Sequence, residues 1–308
     1  METSTFHPAP RNDATSHHDV PIEVENLTKV YRQKSGTISA VNNLSLSIQA
    51  GVTYALLGPN GAGKSTTIEI LEGHRKPTSG RVNVLGTTPY KAPPSFRARI
   101  GIVLQEATDA GALRVREALH ALAAYYPNPR GVDELIAAVG LEGKESQRIS
   151  TLSGGQRRRV DVALGLVGNP ELLFLDEPTT GFDPDARRAF WGLIRSLRAD
   201  GTTIVLTTHY LDEAEQLADR LGIITGGRLV AEGAPGTLGG AALRRPRVSW
   251  IDDDGVHEEI TDRPAELVNL LSAGGTHEPR KLQIRVPSLE DIYLELLKQH
   301  GIQSGDAS

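Results

Sequence analysis

Nine consecutive residues, GPNGAGKST (Gly58 to Thr66), restrict this chain more than any other feature. They close VTYALLG (Val52 to Gly58), a nearly unbroken apolar run that reads as a strand covered on both faces. From Lys64 to about Gly73 the spacing predicts a helix. A glycine-rich turn between such a strand and a helix lets backbone amides converge on an anion with no β-carbon in the way, and the helix adds its positive end. Gly58, Pro59, Asn60, Gly61, Ala62, Gly63, Lys64, Ser65 and Thr66 are therefore the candidate phosphate-binding loop. Lys64 can reach the β- and γ-phosphates of a nucleotide, and the Ser65 hydroxyl can sit on Mg2+.

A second buried run, LLFLDEP (Leu172 to Pro178), ends in two acids. Asp176 at the strand tip is placed to help hold magnesium, the usual acidic partner of such a loop. Glu177, one residue on, is placed to polarise a water for in-line attack on the γ-phosphate.

The rest of the chain falls into segments around these two motifs. IEVENLTKVY (Ile22 to Tyr31) and AVNNLSLSI (Ala40 to Ile48) alternate apolar and polar residues, as half-buried antiparallel strands do. Residues 113–169 carry helical spacing with no convincing strand, which predicts an inserted helical subdomain. Alternating strand and helix patterns then resume. LLFLDEP, a helix from Asp185 to Ala199, TTIVLTTH, a helix LDEAEQLADRL, and short strands GIITGG and RLVAEG indicate a mainly parallel sheet between helices. A Gly-, Ala- and Pro-rich stretch at 235–246 reads as a linker. Beyond it, 247–300 predicts a small α/β appendage containing an Asp-Gly hairpin, a helix near Ala265 to Ser272, the strand KLQIRV and the helix LEDIYLELLKQH. Residues 1–20 and 301–308 read as polar tails.

Composition removes several classes of function. The chain has 308 residues and no cysteine, which excludes a disulfide scaffold, a thiol nucleophile and a cysteine-held metal. A formal charge of −5 argues against a nucleic-acid binder with a basic face. Hydrophobic residues make up 39% of the chain, enough for a large core, yet no apolar run approaches the length of a membrane span. The arginines Arg157 to Arg159 read as a solvated helix face.

LSGGQ (Leu152 to Gln156) narrows the field further. With it, the chain resembles the nucleotide-binding ATPase subunit of an ATP-binding cassette (ABC) transporter over about Ile22 to Gly233. The resemblance implies an α/β P-loop fold with an antiparallel β subdomain, a mainly parallel core sheet and an inserted helical subdomain. It implies ATP and Mg2+ as cofactors. It also assigns roles by position: Tyr31 stacks on adenine, Gln105 touches magnesium and the water, and His209 faces the γ-phosphate as a switch. Ser153, Gly154, Gly155 and Gln156 serve an ATP held by a partner subunit, and Asp183 crosses between subunits. Phe182 departs from the leucine more usual in the family, apolar for apolar.

PSLEDIYLELL (Pro287 to Leu297) resembles the closing motif of type-2 exporters of the daunorubicin-resistance group. The implied partners are integral-membrane permease subunits and a second copy or homologue of this ATPase, with no nucleic acid. The implied location is the cytoplasmic face of the cell membrane. A soluble ABC ATPase acting on ribosomes or DNA, which would usually carry paired cassettes or a long coiled coil, is the alternative, as is the ATPase of an importer. The transported substrate leaves no trace in the sequence.

Overall fold

A computed structural model describes residues 19–34, 36–104, 111–273 and 279–300. Strands β1 (Ile22–Gln33) and β2 (Gly36–Ile48) form a long antiparallel pair. β3 (Thr53–Leu57) runs into α1 (Lys64–Leu71), and β4 (Ser79–Val84) returns to the free edge of β1. The short α2 (Pro94–Arg97) leads to β5 (Ile100–Val103). Three helices follow: α3 (Val115–Ala123), α4 (Val132–Ala138) and α5 (Gly154–Leu166), the last preceded by a 3-10 turn at Ile149–Thr151. Then come β6 (Leu172–Asp176), α6 (Pro184–Ala199), β7 (Thr203–Thr207), α7 (Leu211–Leu217), β8 (Arg220–Thr225) and β9 (Arg228–Gly233).

The central sheet has the order β5-β6-β7-β3-β8-β9, parallel throughout except for β9 at its edge. Successive side chains of a strand face opposite ways, and here each face has its own core. Ala55, Leu57, Leu173 and Leu175 pack toward α3, α5 and α6. Leu56, Leu172 and Phe174 pack toward α1 and the antiparallel sheet. This double burial explains why β3 and β6 lack polar alternation in sequence.

One helix is shorter than its spacing predicts. LDEAEQLADRL reads as helical to Leu221, but α7 stops at Leu217 and Arg220 already belongs to β8. Ala218 is extended, and Asp219 is held to β3 by both its backbone and its side chain: Asp219 N–H donates to the Thr53 carbonyl at 2.9 Å, and Thr53 N–H donates to the Asp219 carboxylate at 2.9 Å. Sheet pairing outweighs the helical period there.

The segment expected as a linker, 235–246, contains α8 (Gly240–Leu243) and buries Leu238 at 1% exposure. β10 (Arg247–Asp252), β11 (Gly255–Ile260) and, after α9 (Pro264–Ala273), β12 (Arg280–Arg285) form a separate antiparallel sheet in the order β11-β10-β12. The last helix, α10 (Leu289–Gln299), starts at a Ser288 cap. Its apolar face, Leu289, Ile292, Tyr293, Leu296 and Leu297, joins the same core as Ala214 and Leu217 of α7. Among the described residues no helix is long and apolar enough to cross a membrane.

Candidate nucleotide site

β3, β7 and β6 are neighbours, and all three end on one edge of the sheet. Register pins the ends together: Thr207 lies opposite Leu56 on one side and Asp176 on the other. Ligands of open parallel sheets bind beyond such carboxyl ends. Here those ends carry the glycine-rich loop, the acid pair and His209.

The loop after β3 is shaped by close approach. Gly63 caps α1 at φ 104°, a left-handed conformation, and a β-carbon there would stand 2.2 Å from the Ala40 carbonyl oxygen. At Gly58 a β-carbon would meet the Ile224 carbonyl oxygen at 2.2 Å. Only glycine fits both places. Lys64 is buried at 8% exposure and its ammonium donates to the carbonyls of Gly58 at 2.6 Å and Pro59 at 3.1 Å. Burial pushes its pKa below the ordinary lysine value, and the nearby Glu177 and Asp176 carboxylates pull it back up. Asn60, Gly61 and Ser65 are exposed, Pro59 and Thr66 are half-buried, and Ala62 lies in the core under the loop.

Asp176 accepts a short hydrogen bond from the Thr207 hydroxyl. Glu177 follows at φ 45°, a left-handed conformation that a side chain with a β-carbon rarely adopts. Its N–H donates to the Thr207 carbonyl at 3.1 Å. His209 Nδ1 lies 3.4 Å from Glu177 Oε1, with His209 open to solvent at 46% and Glu177 at 17%. The structure thus brings Gly58, Pro59, Asn60, Glu177 and His209 around one cavity of about 510 Å³. Glu290, Tyr293 and Leu294 of α10 form another of its walls. Nothing in the spacing of α10 announces that contact.

The other expected site residues lie in separate places. Ser153 is the N-cap of α5: its hydroxyl accepts from Gln156 N–H at 3.3 Å, and Gln156 Oε1 accepts from Ser153 N–H at 3.1 Å. This reciprocal cap leaves the exposed Gly154 and half-buried Gly155 at a helix start, where amides point outward. Asp183 caps α6 by accepting from Ala186 N–H at 2.7 Å. Tyr31 sits on β1, its ring flanked by the cations of Lys29 at 5.2 Å and Arg75 at 5.3 Å. Gln105 lies outside the described residues.

The arginine run is not a uniform solvated face. Arg157 is exposed and Arg159 half-buried, but Arg158 is 7% exposed. Its guanidinium donates to the carbonyls of Asp176 at 2.7 Å, Pro178 at 3.1 Å and Glu177 at 3.3 Å, and also to that of Leu104. Burial lowers its pKa, and the carboxylates of Asp161, Asp176, Glu177 and Glu213 raise it again. Helical phase alone could have set Arg158 apart from its neighbours, since Val160, Asp161 and Val162 turn inward on the same helix.

Residues 41–180 match the family described as ABC transporter. The chain is 42% identical over 244 residues to Nod factor export ATP-binding protein I of Neorhizobium galegae, covering 77% of this chain and 68% of that protein. This chain belongs to the ABC transporter family. It is 35% identical over 309 residues to the daunorubicin resistance ATP-binding protein DrrA3 of Streptomyces coeruleorubidus, covering 90% of this chain and 96% of the relative. A dimeric ATP-binding cassette in a post-hydrolysis state with ADP and Pi superposes with a TM-score of 0.63 at 26% identity, over 69% of this chain and 98% of that one. The ABC cassette seen here is an ATPase subunit, binding ATP and coupling its hydrolysis to transport.

Proposed function

We propose that this ABC subunit drives export of a lipophilic or amphiphilic compound through separate membrane-spanning permease subunits, held at the cytoplasmic face of the membrane. Two relatives named for export or drug resistance support an outward direction, one of them aligned over 90% of this chain. A dimeric cassette of like fold supports a second ATPase copy as partner. A groove of about 560 Å³ supports the permease contact. It is walled by Ile102, Leu104, Leu122, Tyr125 and Leu164, and Tyr125 is 85% exposed. The apolar wall suits a cytoplasmic helix of a permease.

The observation that carries the mechanism is the meeting of phosphate loop, Glu177 and His209 at adjoining strand ends. Amides of Gly61 to Ser65 and the start of α1 would hold the β- and γ-phosphates, with Lys64 neutralising charge on the transferring group. Glu177 would take a proton from the attacking water, and His209 would orient that water and the γ-phosphate. Ser65 and Asp176 fit a magnesium ion. Among the described residues no group of three or more acids or histidines is arranged to hold a metal ion by itself, and a site of one hydroxyl and one carboxylate suits an ion completed by phosphate oxygens and water. When bound, magnesium would supply positive charge that neutralises the phosphates. Tyr31 would receive the adenine, Ser153 to Gln156 the partner's γ-phosphate, and Asp183 the facing subunit. Gln105 would line the same magnesium and water.

Transport in vesicles tests this reading. Inside-out vesicles containing the chain and its permease should accumulate a lipophilic compound only when ATP is outside, and not with Glu177→Gln. ATP-dependent loss of compound from such vesicles would make the system an importer. Co-sedimentation with ribosomes and absence from membranes would place the chain in the other alternative class.

A further inference from the structure

Arg158 joins two parts of the cassette that serve different nucleotides. It lies five positions after the Ser153 cap, on the helix whose start is proposed to engage the partner's ATP. Its guanidinium ends on the carbonyls of Asp176, Glu177 and Pro178, the segment proposed to act on this chain's own ATP. A buried arginine fork with several donors in one plane fixes several acceptors at once, which a flexible ammonium cannot do.

The target is a strained one. A left-handed, non-glycine Glu177 costs of order 1 kcal/mol and persists only where its surroundings over-determine it. Its N–H is tied to Thr207 on β7, and its C=O is tied to Arg158 on α5. Movement of α5 relative to the sheet therefore acts on the peptide that aims the Glu177 carboxylate. The fourth carbonyl, that of Leu104, comes from the end of β5. One side chain thus spans the helical segment, β5 and the acid pair.

We propose that Arg158 is a positioning residue that couples the two ATP sites of the closed dimer. Seating of the Ser153–Gln156 helix start on the partner's nucleotide sets α5, Arg158 follows, and Glu177 is aimed over this chain's own γ-phosphate. This rests on the roles given above to Ser153 and Glu177. It makes hydrolysis at one site depend on nucleotide at the other, although the residue touches neither.

ATP titrations of the full chain with Mg2+ test it, with fluorescent trinitrophenyl-ATP binding and thermal melting measured beside turnover. The wild type should show a Hill coefficient above about 1.5. Arg158→Gln should keep nucleotide affinity within about threefold, lose roughly tenfold or more in kcat, and bring the Hill coefficient to about 1. Arg158→Lys keeps the charge but not the fork, so it should fold well and give intermediate kcat and Hill coefficient. A wild-type Hill coefficient of 1 would overturn the proposal. So would Arg158 variants that melt earlier and bind nucleotide more weakly with the Hill coefficient unchanged, which is what a merely structural arginine gives. Glu177→Gln, run alongside, separates the two readings. Full turnover in that variant refutes the role of Glu177, whereas its loss together with unchanged cooperativity in Arg158→Gln refutes the coupling alone.

Discussion

At the scale of single residues, the proposed chemistry turns on Glu177. It carries a left-handed backbone, a carboxylate 3.4 Å from His209, and hydrogen bonds from both sides of its peptide. None of these contacts is proposed to hold the triphosphate itself, a role given above to Lys64 and the loop amides. Glu177→Gln is nearly isosteric and cannot accept a proton, so turnover should fall by roughly a hundredfold or more while equilibrium nucleotide binding stays unchanged. Steady-state hydrolysis and nucleotide titration on the same preparation check both halves. Most of this site is legible in the sequence, because a phosphate loop must be glycine-rich between a buried strand and a helix, and GPNGAGKST is. The inward turn of Arg158 is legible only through helical phase, because three adjacent arginines have the same chemistry and the buried Asp161 and Val162 lie one turn further along the same face. Only the phase of α5 against β6 decides which one is buried.

At the scale of elements, the unexpected feature is α10. Its capping box at Ser288 and its amphipathic spacing make it a helix, and that much is visible in PSLEDIYLELL. Its partner is not visible, since an apolar stripe does not name the surface it covers. The structure lays Ile292, at 1% exposure, in one core with α7 and leaves Tyr293 and Glu290 at the wall of the candidate nucleotide cavity. Ile292→Ala should therefore destabilise the whole cassette by about 2–4 kcal/mol, lowering the urea midpoint of a single transition. An early, separate transition of 247–300 would mean that α10 folds independently of the ATPase core. The end of α7 shows the same limit of sequence reading. Periodicity carries the helix to Leu221, but the pairing of Asp219, through its N–H and its carboxylate, with Thr53 stops it at Leu217.

At the scale of the whole molecule, stability should depend on pH through a group far along α1 from Lys64. Glu72 caps that helix with a side chain only 2% exposed, 3.2 Å from His74 Nδ1. Burial first, then the Asp176 and Glu69 carboxylates, push its pKa up to about 8. The folded state therefore holds a proton that the unfolded chain, near 4.5, has lost. The favourable contribution is complete below that lower value and disappears as pH rises toward about 8. Glu72→Gln removes this slope, so its advantage over wild type in denaturant melts should grow between pH 5 and pH 8, by on the order of 1–3 kcal/mol. A constant difference across that range would show that Glu72 is ionised in the folded protein.

The account turns on an ATP shared between two copies of this cassette, and size-exclusion chromatography with light scattering measures that directly. Glu177→Gln, expected to bind ATP without clearing it, should run as a dimer with ATP and Mg2+ and as a monomer without nucleotide. Adding Ser153→Arg to the same chain places a bulky cation at the start of α5, the proposed seat of the partner's γ-phosphate. That doubly substituted chain should bind ATP normally and remain a monomer. Dimer formation that persists in the double variant, or ATP binding lost with Ser153→Arg, would contradict the shared site.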